Sequence, residues 1–434
     1  MKKVMALLLT MVLTISMLAG CTKQADTTDE NQPASTDTTS DTEEAKDDAT
    51  TSTVEKKEVV IWDYFETDAQ KQMMQTLIDG FNASQEEFVL SHVYVPFADY
   101  EKQLTLGVAS GELPDLVILD GCDMASFISL GLFGDISEGT KDVAWDEYIA
   151  GPLSSTMMDG NHYGVPFATN CTALFYNKDL FDAASLAYPN ENTTWDEFKT
   201  MAATLTKDGI YGFGNAATNT DEGTFQCLQW LYTAGGSYTD ITGGIEAYQL
   251  MQDMINAGSW TKEVVNWTQS DVNNNFIAGN LAMQQNGPWQ IPGIAANAPE
   301  LNYGVTVLPK FDANSGQATS ILGGENMGAV NKEDMSGAIA FIKYYDQTEV
   351  MVEAMKLYGS FPPKSEAAND TYWTSDPIQA AFIKQLETSI PRGPSASWPS
   401  YSAAIQTGFQ EVMTSAKTPE KAAADTQAAV DAVE

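Results

Sequence analysis

A chain of 434 residues with 59 acidic against 22 basic side chains has a formal charge of −37. That balance argues against nucleic acid, whose phosphates need a Lys and Arg footprint, and against generic capture of anionic solutes. The length leaves room for two domains with sizeable cores, and with two histidines, His92 and His162, no metal and no cofactor is expected.

Lys2 and Lys3 followed by the apolar run 4–18 form the charged and hydrophobic parts of an export signal, too short for a membrane span of about 20 residues. The run ends in Leu18, Ala19, Gly20 and Cys21, which resembles a bacterial lipobox; that resemblance implies a lipid on the Cys21 thiol. From residue 22 to about 57 the chain is Thr, Ser, Asp, Glu, Ala and Gln with almost no large apolar side chain. It cannot offset its chain entropy by burial and reads as a disordered tether. The expected organisation is therefore a signal peptide at 1–20 and a lipidated acidic tether at 21–57. The expected location is the extracellular face of the cell membrane, with a Gram-positive surface as the preferred setting. Cys122, Cys171 and Cys227 are then an odd number without close pairs. They give no disulfide framework and read as small, partly buried hydrophobes, with one bridge left open.

Residues 58–62 read as a short buried strand. Gln70, Met73, Met74, Leu77, Ile78 and Phe81 then recur at three- and four-residue spacing behind Asp68 as a cap, an amphipathic helix. A β-rich run at 88–95, a helix face of Tyr100, Leu104 and Val108 closed by Gly111, and a strand at 115–119 complete a βαβαβ order, which predicts parallel pairing. Ligands of such a sheet sit beyond the carboxyl ends of its strands. This nominates the loop 63–68, with Tyr64 and Glu66, and the loop 120–123. Trp62, Glu66 and Asp120 are the site candidates there, while Asp68 and Asp123 read as caps of the helices that follow, with hydroxyl-binding carboxylates as the alternative.

Thr194 and Glu197 form a capping box that opens a helix over 195–205. A helix from 224 stops at Gly235, with Trp230 and Tyr232 as core side chains at helical spacing, and another spans 245–257. The stretch 276–308 is centred on Asn286, Gly287, Pro288 and Trp289, where Gly and Pro force a turn that holds the indole at a bend. Such a Trp is either core or a stacking platform. Gly323 and Gly324 precede a β run, punctuation that lets backbone approach a ligand or pass through a hinge, and make Glu325 a candidate cleft acid. Helices follow at 338–345 and 350–358, and Thr418 with Pro419 starts the last helix.

The segment 276–285, the Asn-Gly-Pro-Trp turn and the run 303–309 together resemble the extracellular solute-binding proteins of ABC importers, nearest to the maltodextrin-binding type. The helix ending in Gly111, Glu112, Leu113, Pro114 and Asp115, the Gly131-Leu132-Phe133 turn, and the segments 163–167, 173–181 and 359–364 follow the same pattern, so the likeness runs from about residue 58 to the C-terminus. It implies an α/β, two-lobed periplasmic-binding-protein-like fold of type II, each lobe a mainly parallel sheet flanked by helices, joined by a multi-strand hinge. Lobe one would be 58–169 plus about 323–366, and lobe two 170–322 plus about 367–434. Trp289 would pack on a sugar, and Phe225 falls where the relatives have a sugar-stacking Tyr. Asn170 stands where they have an acid, a departure that changes the hydroxyl pattern recognised. Trp398 or Tyr401 lies near a final stacking aromatic, the choice between them open. The implied protein is a monomeric lipoprotein, held to the membrane through Cys21, that delivers an oligosaccharide or related neutral solute to the permease subunits of an importer. It would not be an enzyme, since Gly-x-Ser-x-Gly, His-Glu-x-x-His and Walker patterns are absent. A glycoside hydrolase with paired cleft carboxylates and a receptor for a non-sugar solute are the alternatives.

Overall fold

The computed structural model describes residues 56–393 and 395–433. The expected signal peptide, Cys21 and nearly all of the expected tether lie outside them; the tether's expected end at 57 already belongs to the first strand, Lys57–Asp63. No helix among the described residues is long and apolar enough to cross a membrane.

The first strand buries Val59, Ile61 and Asp63 on one face, as a period of two requires. It pairs in parallel with Phe88–Tyr94 on one side and Leu116–Asp120 on the other. Helices Asp68–Ser84 and Phe97–Ser110 carry the chain between them. The first helix buries the six residues its spacing predicts. Its cap, however, is Thr67 and not Asp68: the Thr67 hydroxyl accepts from the Gln70 N–H and the Gln70 side chain returns the bond, which leaves Asp68 in the first turn. Asp123 occupies the N-cap position of Met124–Ser129 without a side-chain capping bond. Two later segments complete this five-stranded sheet in antiparallel sense, Glu325–Ala329 beside Leu116–Asp120 and Gly164–Pro166 at the edge.

A second, four-stranded sheet runs in the order Tyr303–Thr306, Ala173–Asn177, Leu281–Asn286, Tyr211–Gly214, with two antiparallel pairings and one parallel. Both sheets are thus mixed where mainly parallel ones were expected. Ala173–Asn177 and Glu325–Ala329, which enter their sheets from the other one, pair antiparallel with their neighbours. Leu281–Asn286 is buried throughout although three of its side chains are amides. Each is satisfied: Gln285 donates to the Gln226 carbonyl at 2.8 Å, Gln284 to Asn273 at 3.0 Å and Asn286 to the Gln269 carbonyl at 3.0 Å. Trp230, 2% exposed, donates its indole N–H to Gln285 and sits among Trp195, Phe198, Phe213 and Trp260, so it is core, as its helical spacing predicts. Tyr232 is half-buried against the same core. The helix Trp195–Leu205 opens with the Thr194–Glu197 capping box, and Thr418 caps the last helix, Pro419–Asp431. Cys122, Cys171 and Cys227 are buried free thiols.

Three segments run between the two sheets. Residues 167–172 join Gly164–Pro166 to Ala173–Asn177, residues 323–324 join Ser320–Leu322 to Glu325–Ala329, and residues 359–364 follow Thr348–Tyr358. They are stitched together by backbone bridges between Asn170 and Gly323 and between Thr169 and Phe361.

Candidate functional site

Where the crossing segments meet the strand ends, a cavity of about 300 Å³ opens between the two sheets. The first sheet contributes Tyr64, Glu66 and Thr67 from the loop after its first strand, Asp120 from the end of Leu116–Asp120, and Glu325 from the start of the neighbouring antiparallel strand. Asp120 and Glu325 are register partners. From the other half come Glu222 and Phe225 on the helix Asp221–Thr233, Gln269 and Ser270 at the start of Gln269–Ile277, Trp289 in a short 3-10 turn, and Arg392 just past the strand Ser389–Pro391. The crossing segments supply Asn170, Gly323 and Gly324.

Trp289 is 8% exposed and folds back over its own turn: a Cβ at Gly287 would stand 1.9 Å from the indole, so only glycine fits there. Its ring lies 6.2 Å from that of Phe225, and the two form an aromatic wall. The Arg392 guanidinium sits 4.6 Å from the Phe225 ring centre, a cation–π contact. It bonds Asp120 at 2.7 Å and Asp221. Burial alone would tend to discharge the guanidinium, but Asp120 and Asp221 outweigh that and keep it firmly charged. Asp120, Cys122 and Asp221 are close enough to share a cation; Arg392 already fills that role.

Glu325 is 6% exposed and accepts a 2.6 Å bond from the Tyr358 hydroxyl. Burial pushes its carboxyl up to about 8, against the lowering effect of that bond. Glu222 is likewise pushed to about 7 by burial, against its bond from the Gln269 N–H. Glu66 accepts from the Ser270 hydroxyl at 2.7 Å, a bond that spans the cavity. Three buried polar atoms of the lining, Asn170 Oδ1, Glu325 Oε2 and Arg392 Nε, have no hydrogen-bond partner among the described residues. Gly323 lets Asn170 and Phe225 pack directly against the backbone: a Cβ there would stand 2.3 Å from Asn170 Oδ1 and 2.9 Å from the Phe225 ring.

Of the residues nominated from sequence, the cavity brings together Glu66, Asp120, Asn170, Phe225, Trp289 and Glu325. It does not include Trp62, Trp398 or Tyr401. Strand alternation turns Trp62 to the opposite face from Ile61 and Asp63, where it packs on a separate cluster around Tyr100. Trp398 is fully buried and donates its indole N–H to Asp221 at 2.9 Å, so it braces the carboxylate behind Arg392. Tyr401 is half-buried against Tyr238. Sequence reasoning missed Arg392, Glu222, Gln269 and Ser270. Arg392 did carry a signal, being the only arginine in the chain.

Residues 76–381 match the family model described as bacterial extracellular solute-binding protein. The chain is 25% identical over 349 residues to the galactooligosaccharide-binding protein of Bacillus subtilis (strain 168), covering 77% of this chain and 79% of that one. It is 23% identical over 360 residues to the sn-glycerol-3-phosphate-binding periplasmic protein of Agrobacterium fabrum (strain C58 / ATCC 33970), covering 76% and 80%. Among solved structures, the GacH receptor of Streptomyces glaucescens GLA.O, determined unliganded and in complex with acarbose and an acarbose homolog, superimposes with a TM-score of 0.78 at 23% identity. The match covers 87% of this chain and all of that one. The fold is the two-lobed one of periplasmic binding proteins.

Proposed function

Since the chain belongs to the bacterial extracellular solute-binding protein family, we propose that it captures a carbohydrate, an oligosaccharide, between its two lobes and presents it to the membrane permease of an ABC importer. The lobes are 58–169 with 323–366, and 170–322 with 367–434, and they close about the three crossing segments. The chain works as a monomer, anchored to the outer face of a Gram-positive membrane through a lipid on Cys21. The observation that carries the reading is the cavity wall: two aromatic faces, Phe225 and Trp289, beside a rim of carboxylates and amides, which suits a ring with apolar faces and a hydroxyl edge. The galactooligosaccharide and acarbose ligands of the two relatives support it. The glycerol phosphate of the third does not transfer, because the one cation of the lining is already held by two carboxylates.

The reading is of a receptor and not of a hydrolase. Asp120 and Glu325 are adjacent carboxylates, but Asp120 is tied to Arg392 and is not free to act as a nucleophile or base. A thermal-shift screen of sugars tests the proposal, since a solute that binds only the native state raises the melting temperature. The best sugar should then bind Trp289→Ala roughly thirtyfold more weakly, a loss of about 2 kcal/mol, and should be recovered from the wild-type protein uncleaved. Unchanged affinity for Trp289→Ala, with a sharply lowered melting temperature, would return Trp289 to the core. Steady release of reducing ends would establish the hydrolase.

A further inference from the structure

We infer that Glu325 is a specificity-determining hydrogen-bond donor: its carboxyl, protonated on Oε2, gives that hydrogen to an oxygen of the bound sugar, so that capture is linked to one proton on one side chain. This rests on the carbohydrate reading and adds to it the residue that selects an acceptor oxygen. The hydrogen bonds around Glu325 fix where the hydrogen lies. Gln70 accepts on Oε1 from the backbone N–H groups of Glu66 and Thr67, which leaves its amide nitrogen as the end that bonds the Tyr358 hydroxyl. The Tyr358 oxygen takes that N–H and gives its own hydrogen to Glu325 Oε1 at 2.6 Å. Oε1 is thereby the acceptor of the carboxyl, and the carboxyl's own hydrogen belongs on Oε2.

Oε2 itself is buried, on a side chain of the cavity lining, and has no partner among the described residues. The titratable and charged groups that face Glu325 are Tyr358 and Tyr345 on the helices Thr348–Tyr358 and Ser336–Tyr345, Asp120 on the adjacent strand, Tyr64 in the loop after the first strand, and Arg392. The cation among them is already bonded to Asp120 and to Asp221. An ionised Glu325 would therefore be a desolvated carboxylate with one hydrogen bond and no counter-charge of its own, which costs more than keeping the proton. Burial accordingly holds its carboxyl up at about 8. At neutral pH the cavity presents an O–H for which the chain supplies no acceptor. A buried donor left unpaired is costly, and a hydroxyl, ring or bridging oxygen of a sugar removes that cost.

Capture then follows the proton. Above about pH 8 the empty cavity loses it, Oε2 turns from donor into acceptor, and a sugar oxygen that met an O–H meets a lone pair instead. Binding must first draw a proton from the buffer back to Oε2.

The test is calorimetry on the purified full chain with maltotriose, galactobiose and mannobiose at pH 7 and pH 9, in pairs of buffers of different ionisation enthalpy. A sugar that binds at pH 7 should bind about tenfold more weakly at pH 9, since only the protonated fraction is competent. The heat at pH 9 should report uptake of a proton. Glu325→Leu, which has no donor, should weaken binding at both pH values. Glu325→Gln, whose Nε2 donates from the place of Oε2 while its oxygen accepts from Tyr358, should recover most of that loss at pH 7 and abolish the fall toward pH 9. Glu222→Gln, which removes the other lining carboxyl held near neutrality, should keep the fall. Melting curves show which variants fold; if Glu325→Leu does not, the pH profiles of the wild type and Glu325→Gln decide alone. Equal wild-type affinity at the two pH values, or a fall that Glu325→Gln preserves, would overturn the inference and leave the carbohydrate reading standing. Glu325→Gln binding as poorly as a folded Glu325→Leu at pH 7 would do the same, by showing that the carboxylate accepts. Binding of none of the sugars at either pH would overturn the inference together with the carbohydrate reading beneath it.

Discussion

Glu325 is a buried cleft carboxyl held well above its ordinary range, and its stability signature has a definite sign. Its carboxyl sits at about 8 in the folded protein, against an ordinary 4.5. Between those limits the native state holds a proton that the unfolded chain has released, so unfolding becomes easier as pH rises. The contribution is most favourable below about pH 4.5 and is lost as pH climbs through 8. Glu222 and Glu101, each pushed to about 7 by burial, act in the same direction. The sugar-free protein is therefore expected to melt at a lower temperature at pH 8 than at pH 5. Glu325→Gln, which keeps an acceptor for Tyr358 but cannot ionise, should flatten that slope; melting curves at closely spaced pH check it, and an unaltered slope would exonerate Glu325. The carboxylates at the strand end and after the Gly pair were legible in the sequence because position along a strand decides whether a residue reaches the cleft. Arg392 was not, because its meaning lies in Asp120 and Asp221, which are 272 and 171 residues away. The same applies to Trp398, whose indole N–H goes to an aspartate that nothing in its own neighbourhood announces.

At the scale of elements, the crossing segment 323–324 is where backbone conformation and site meet. Gly324 has φ +121, a region that side-chain-bearing residues rarely adopt, and a Cβ there would stand 2.2 Å from the Ala168 carbonyl oxygen. Gly324→Ala should cost roughly 1–3 kcal/mol of stability through backbone strain and weaken sugar binding, since Asn170 and Glu325 are both registered through this segment. Gly111, at φ +76 with nothing within 4 Å of its missing Cβ, is the control: Gly111→Ala should cost about 1 kcal/mol and leave affinity unchanged. Chemical denaturation and titration of both variants check this, and equal losses of affinity would show that Gly324 acts only on stability. Elements whose signals are local were readable. The helix Trp195–Leu205 has its capping box and Phe97–Ser110 has its glycine stop. The parallel pairing of the first three strands was readable from their βαβαβ order, but the antiparallel pairings were not, because they depend on which segments cross from the other half and so on contacts made over long stretches of chain.

In the molecule as a whole, the halves are held to each other across the cavity by two polar ties, Glu66 with Ser270 and Asp120 with Arg392. The second is the stronger. Arg392 is 3% exposed, and removing one partner of a buried pair ordinarily costs about 3–5 kcal/mol because the other charge is left stranded. A two-lobed protein has a way round that cost which a rigid core lacks: the lobes can separate and return Asp120 and Asp221 to water. Arg392→Gln is therefore expected to enlarge the molecule in solution, with a higher radius of gyration by X-ray scattering than the wild type. Its melting temperature should fall by less than a stranded buried pair would demand. Adding back the best sugar should restore compaction only at higher concentration, because part of its binding energy must now draw the lobes together. An unchanged radius of gyration with a large drop in melting temperature would mean that the tie works inside a rigid body, and that hinge motion does not separate Asp120 from Arg392.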